Sequence, residues 1–279
     1  MLPPFVGPEI LDDAPGGLVV ADVRWYLDGR SGRAAYDRGH IPHAIFVDLN
    51  EALAGTPSRA EGRHPLPTPE TFAAAMGAAG IGPATPVVAY DDAGGVIAAR
   101  LVYLLRILGS PAAVLDGGIA AFAGALETAE AVVTEANFPA RPWPESAFAT
   151  IEQVVGPDAV VLDARDGERY RGETEPVDPR AGHVPGARSL PCRDNLDADG
   201  RLLAPSALRA RLAAVGIDAP DTAVISYCGS GVTACHNLLV LEHVGLGRGR
   251  LFPGSWSQYA WRDDLPLATG PEPGAPVRS

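Results

Sequence analysis

Two hydrophobic rhythms alternate along most of the chain. Short apolar runs, most of them with β-branched residues, occur in the first half as "LVVADV" (18–23), "PVVAY" (86–90) and "AAVLDGG" (112–118), and in the second as "AVVLDA" (159–164), "TAVISYC" (222–228) and "GRLFPG" (249–254). Between them, "ETFAAAMGAAG" (70–80), "GVIAARLVYLLRILG" (95–109), "PSALRARLAAVG" (205–216) and "GVTACHNLLVLEHVG" (231–245) carry apolar residues at helical spacing. Strands interleaved with helices of this length predict parallel sheets covered by helices on both faces, an α/β fold.

The pattern is also written twice. "VVADVR" from Val19 matches "VVLDAR" from Val160, and Asp22 to Asp163 is 141 positions. "GHIPHA" matches "GHVPGA", with His40 to His183 at 143 positions. "YDDAGGVIAA" matches "YCGSGVTAC", with Gly95 to Gly231 at 136 positions. A period this long indicates duplicated domains rather than a solenoid. We therefore expect an N-terminal domain over 1–133 and a C-terminal domain over 151–279. The Pro- and aromatic-rich stretch 134–150 would link them, and the tail from Gly270 would be poorly ordered. In the third match Asp92 stands where the second copy has Cys228. Asp91 and Asp92 suit the capping of the helix that follows.

Composition narrows the function. At 47% hydrophobic and 20% charged residues, the 279-residue chain can bury a core. A net charge of −12 argues against nucleic-acid and anionic-membrane surfaces. All 22 basic residues are arginine, which removes lysine Schiff-base chemistry. No apolar run is long enough to span a bilayer, and the N-terminus lacks the basic-then-apolar order of a secretory signal. Three cysteines in a chain this long make neither a disulfide framework nor a zinc site. A cytoplasmic protein with reduced thiols is expected, and no metal or organic cofactor is implied.

One cysteine stands apart. Cys192 and Cys235 read as buried hydrophobes. Cys228 ends a strand and opens the turn "CGSG" before a helix, at the carboxyl edge where open α/β sheets bind ligands. Gly229 and Gly231 let successive N–H groups converge, and the helix start adds its positive end. Such a cradle stabilises an anion and predicts a reactive thiolate. The alternative cysteine chemistry, phosphate-ester hydrolysis by Cys-x5-Arg, fails because Ala234 stands at the sixth position after Cys228.

"CGSGVTA" resembles the active loop of the rhodanese superfamily, and within it the 3-mercaptopyruvate sulfurtransferases. "DVRWYL", "GHIPHAIFVDL", "YDD", "VLDGG", "LDAR", "RYRG", "GHVPGA" and "PGSWSQYAW" follow in that family's order over nearly the whole chain. The resemblance implies two tandem rhodanese-like domains, the first without a catalytic cysteine and the second catalytic. It implies a double displacement in which Cys228 takes sulfur from a small donor as a persulfide and passes it to a thiol, a thioredoxin-like protein or cyanide. N–H groups of Gly229, Ser230, Gly231, Val232 and Thr233 would stabilise the charge that develops.

The remaining site residues come from the same resemblance. Arg169 in "ERY" and Arg180 before "AGHVPG" match substrate arginines, whose guanidinium forks suit a carboxylate. Ser230 matches a serine linked to a histidine of the first domain, for which His40 is the match; a histidine that only pins a turn is the other reading of His40. Trp256 and Tyr259 would wall the pocket. "GRHPLP" (62–67) reads as a loop of the first domain. Three functional readings remain open. The donor is 3-mercaptopyruvate, which the uncharged Gly229–Ser230 pair favours; or it is thiosulfate, with cyanide as acceptor; or the protein is a persulfide carrier with little turnover of its own.

Overall fold

All six apolar runs become strands, and they pair in parallel. A computed structural model describes residues 2–12 and 16–275. The strands are β1 (Phe5–Val6), β2 (Val19–Asp22), β3 (Ile45–Phe46), β4 (Val87–Tyr90), β5 (Ala112–Leu115), β6 (Val160–Asp163), β7 (Arg188–Ser189), β8 (Val224–Tyr227) and β9 (Arg250–Leu251). They form two sheets, ordered β1-β5-β4-β2-β3 and β7-β6-β8-β9, with every named pair parallel. β4 and β8 are buried at every position, as interior parallel strands should be.

The long helices also form where the spacing places them, over Pro69–Ala78, Ala99–Ile107, Pro205–Ala214 and Ala234–His243. Thr68 caps the first of these, accepting the Thr71 N–H with Pro69 at the first position. Among the described residues no helix is long and apolar enough to cross a membrane.

The chain divides into two units. Unit 1 comprises Met1–Gly55, Leu66–Pro144 and Leu196–Leu202; unit 2 comprises Thr56–Pro65, Glu145–Asn195 and Leu203–Ser279. Neither unit is one continuous stretch, as the sequence reading has it: each takes in a short segment from the other half. Within the expected linker, Ala136 N–H donates to Gly77 O at 2.9 Å, and Phe72 meets Phe138 and Trp143 edge-on at 5.8 and 5.1 Å. That part of the stretch is a packed strap of unit 1. The tail is ordered as far as it is described, since Gly270 N–H donates to Arg171 O at 2.9 Å and Pro273 O accepts the Gly186 N–H at 2.6 Å. Residues 276–279 lie outside the described residues.

The duplication extends to buried polar contacts. In unit 1 Asp22 forks Arg24, whose Nη2 reaches Gly39 O at 2.8 Å; in unit 2 Asp163 forks Arg165, whose Nη2 reaches Gly182 O at 2.6 Å. His40 stacks on Tyr36 at 3.8 Å and His183 on Tyr170 at 3.7 Å. Each histidine sets its Nδ1 against the carbonyl of the tyrosine it stacks on, at 2.9 and 2.8 Å.

Candidate active site

β8 runs through the middle of the unit 2 sheet and delivers Cys228 to its carboxyl end, only 2% exposed. The turn after it is tied down by the helix Ser255–Tyr259. Ser255 Oγ accepts the Cys228 N–H at 3.1 Å and donates to Phe252 O at 2.9 Å. The Trp256 N–H donates to Cys228 O at 3.0 Å and the Ser257 N–H to Gly229 O at 2.8 Å. Gly231 has φ +77°, and a Cβ there would lie 2.5 Å from Pro253 O, so only glycine fits. The N–H groups of Gly229, Ser230, Val232 and Thr233 have no acceptor among the described residues. With the start of the helix Ala234–His243, they leave donors at this turn that an anion can take.

The segment 56–65 lies against this turn. A Cβ on Gly62, at φ +91°, would lie 2.6 Å from Gly254 O. The Arg63 N–H donates to Ser257 Oγ at 3.0 Å, and Gln258 Nε2 donates to Ala60 O at 2.5 Å. These contacts place His64 Nδ1 2.7 Å from Ser230 Oγ, with both side chains buried. Arg63 and Arg169 both reach the turn: a Cβ on Gly229 would stand 3.1 Å from Arg63 Nη2 and 3.4 Å from Arg169 Nη1.

Two buried carboxylates hold these arginines. Glu175 accepts from Arg169 Nη2 at 2.6 Å, from Arg169 Nε at 3.3 Å and from Arg165 Nη1 at 3.2 Å. Asp178 pairs with Arg63 through Oδ1, and its Oδ2 lies 3.5 Å from Arg169 Nη2. Burial raises the Asp178 carboxyl above its ordinary value, against the opposing pull of Arg63. Cys192 is buried too, and burial pushes its thiol up to about 12, which keeps it protonated and inert.

Unit 2 therefore gathers Cys228, Gly229, Ser230, Gly231, Val232, Thr233 and Arg169 in one place. Two expected site residues are engaged elsewhere. His40 Nδ1 faces Tyr36 O and its Nε2 lies 3.1 Å from Ala129 O, so it pins a turn of unit 1; the histidine on Ser230 is His64. Arg180 spends its guanidinium on four carbonyls, those of Tyr259, Ala260, Arg262 and Leu265, at 2.7 to 3.1 Å. The second arginine at the turn is Arg63. Trp256 is fully buried beneath Arg165, 4.5 Å from its guanidinium, and serves the site through its backbone N–H rather than as a pocket wall.

The counterpart of Cys228 in unit 1 also needs correcting. Tyr90 and Tyr227 end equivalent strands, their hydroxyls accepting the N–H of Ile41 and Val184. Asp91 follows directly, and its carbonyl accepts the Ile119 N–H at 2.8 Å, as that of Cys228 accepts from Trp256. Asp91, not Asp92, thus holds the cysteine position, and the unit 1 loop is one residue longer. The Asp91 carboxyl accepts the N–H groups of Ala93, Gly95, Ile97 and Ala98 at 2.7 to 2.9 Å, which favour its charged form against the burial that raises it above its ordinary value.

Comparison with known proteins bears on this site. The profile of the "Rhodanese-like domain" family matches residues 9–125 and again residues 150–261. A Pseudomonas aeruginosa protein named "Probable 3-mercaptopyruvate sulfurtransferase" is 41% identical over 263 residues, covering 91% of this chain and 93% of its own. A Mycobacterium tuberculosis protein named for thiosulfate sulfurtransferase activity, SseB, is 37% identical over 261 residues, covering 90% of each chain. The crystal structure of SseA from Escherichia coli, described as having the rhodanese fold of 3-mercaptopyruvate sulfotransferases, matches with a TM-score of 0.78. Its sequence is 31% identical, with 91% of this chain and 99% of that one covered.

Proposed function

The chain belongs to the rhodanese family, with two tandem domains, and is a sulfurtransferase; on that premise we propose that it takes sulfur from 3-mercaptopyruvate onto Cys228 and hands it to a thiol, a thioredoxin-like protein or cyanide. In the first step the Cys228 thiolate attacks the donor sulfur. The S–S bond forms, the C–S bond breaks, and pyruvate leaves as its enolate, which then takes a proton. The enolate charge develops within reach of Ser230, whose hydroxyl donates while His64 supplies or stores the proton. Arg63 and Arg169 provide the fork for the donor carboxylate. In the second step an acceptor thiolate attacks the outer sulfur and frees Cys228.

The observation that carries this reading is the 2.7 Å contact between His64 and Ser230, two residues from Cys228. A proton relay suits an enolate leaving group; sulfite leaving from thiosulfate needs none. Thiosulfate as donor is the second reading, supported by the two guanidiniums at Gly229, which suit a dianion. A reducing compartment, the cytoplasm, suits the chemistry, since Cys192, Cys228 and Cys235 are all free thiols.

The test is a side-by-side steady-state assay with 3-mercaptopyruvate and with thiosulfate, using Cys228→Ser as control. A preference for 3-mercaptopyruvate, abolished by the substitution, is the expected result. A preference for thiosulfate moves the assignment to the second reading. Stoichiometric persulfide with negligible turnover identifies a carrier, and activity that survives Cys228→Ser overturns the role of Cys228.

A further inference from the structure

Around the catalytic turn three guanidiniums face three carboxylates: Arg63, Arg165 and Arg169 against Asp163, Glu175 and Asp178. Ionised throughout, this cluster is neutral. A donor carboxylate entering between Arg63 and Arg169 adds one negative charge to a buried, already neutral group of side chains, and one carboxylate must yield. Glu175 is poorly placed to do so. Arg165 and Arg169 hold it, and its Oε1 accepts the N–H groups of Val177 and Asp178 at 3.2 and 3.1 Å. Asp163 is locked in its fork with Arg165. Asp178 is the loose member. Its side chain is 3% exposed, Oδ1 holds Arg63, and Oδ2 makes no hydrogen bond and sees Arg169 only at 3.5 Å. Arg63 Nε, also buried, likewise has no hydrogen-bond partner.

We propose that Asp178 is a specificity-determining residue, an internal carboxylate that occupies the arginine anchor and must release it and take up a proton when an anionic donor binds. The inference rests on the reading of Arg63 and Arg169 as the donor's anchor and adds the group that competes for it. The charged and titratable neighbours of Asp178 act consistently. Glu175 on its own loop opposes its ionisation; Arg63 from the 56–65 segment and Arg169 from the helix Gly167–Arg171 favour it. His64 follows Arg63 in the same segment, and Cys228 lies in the turn beyond. Once a donor carboxylate engages both arginines, their support for the Asp178 anion falls and a proton replaces it. By linkage, donor binding weakens as pH rises above the value at which free Asp178 ionises, by up to about tenfold per pH unit.

The experiment is the pH dependence of KM and kcat for 3-mercaptopyruvate from pH 6 to 9, for the wild type and Asp178→Asn. The wild-type KM is expected to climb with pH, and that of Asp178→Asn to be flatter and about three- to tenfold lower at pH 8. The change should fall on KM rather than on kcat. A purely structural Asp178 would give the opposite, a raised KM and a parallel pH profile, and either result overturns the inference. Should Asp178→Asn fail to fold, calorimetry of pyruvate binding to Cys228→Ser in phosphate and in Tris at pH 8 decides. Uptake of about one proton per pyruvate is expected, and binding without uptake, or no binding, overturns the inference. A wild type that turns over while its KM ignores Asp178→Asn defeats this inference alone. A wild type that turns over no donor defeats the functional reading and leaves the calorimetric arm to judge Asp178.

Discussion

The ring of His64 is buried against Ser230 at 2.7 Å, whereas both ring nitrogens of His40 face carbonyls of its own unit. Their removal should therefore have different consequences. With 3-mercaptopyruvate, Ser230→Ala and His64→Ala are each expected to lower kcat by about 100-fold, and the double variant by little more, because one relay is lost in each case. His40→Ala should cost about 2–3 kcal/mol of stability, with kcat per folded molecule retained. Equal losses of kcat at His40 and His64, or additive losses at Ser230 and His64, would refute this division. The position of Cys228, in a turn at the carboxyl end of β8, was legible in the sequence because glycines and a helix start surround it. His64 was not. "GHIPHA" and "GHVPGA" drew attention to His40, but a motif present in both halves serves what both halves share, here a Tyr–His stack that pins a turn. Arg180 misled for a related reason: a loop arginine is recognisable from sequence, but the four carbonyls that occupy it come from residues 259–265.

The strand–turn–helix elements after β4 and β8 show how one backbone design serves two ends. Both turns present N–H groups toward an anion position. In unit 1 the Asp91 carboxylate takes four of them; in unit 2 Cys228 holds the equivalent position, and the N–H groups of Gly229, Ser230, Val232 and Thr233 keep no acceptor among the described residues. Asp91 is thus a structural acceptor. Asp91→Asn replaces one acceptor oxygen with an NH2 group and leaves two buried N–H groups facing a donor. A loss of about 3 kcal/mol or more is expected, read as a lower midpoint in urea denaturation; an unchanged midpoint would show that the turn does not depend on its carboxylate. Periodicity located the long helices and the four-residue strands, because burial on both faces leaves an unbroken apolar run. It could not locate the two-residue strands β1, β3 and β7, nor the five-residue helices Gly167–Arg171 and Ser255–Tyr259, which are too short to show a period. Nor could alignment alone place Asp91, since an extra residue in the turn lets Asp91 or Asp92 face Cys228, depending on which end is counted from.

At the scale of the whole chain, the duplication supplies the frame and a departure from it completes the site. The repeat offset is 143 positions at the histidines of "GHIPHA" and "GHVPGA" but 136 at Gly95 and Gly231, so the first copy holds about seven extra residues between these points. The segment Thr56–Pro65 falls in that interval and belongs to unit 2, bringing Arg63 and His64 to the turn after Cys228. The lengthening was visible in the sequence, but its destination was not, because that depends on a backbone fit, Gly62 against Gly254, between residues 192 positions apart. The segment can be removed without touching either sheet. In the full-length chain, replacing residues 56–65 with a Gly/Ser stretch of equal length should preserve the far-ultraviolet circular dichroism and leave Cys228 open to alkylation by iodoacetamide. On the proposed mechanism it removes the histidine of the relay, about 100-fold, and one arm of the donor fork, about tenfold, so turnover of 3-mercaptopyruvate should fall by about 1,000-fold. Turnover within tenfold of the wild type would show that β8 and its turn suffice for catalysis, and that the segment only covers a surface.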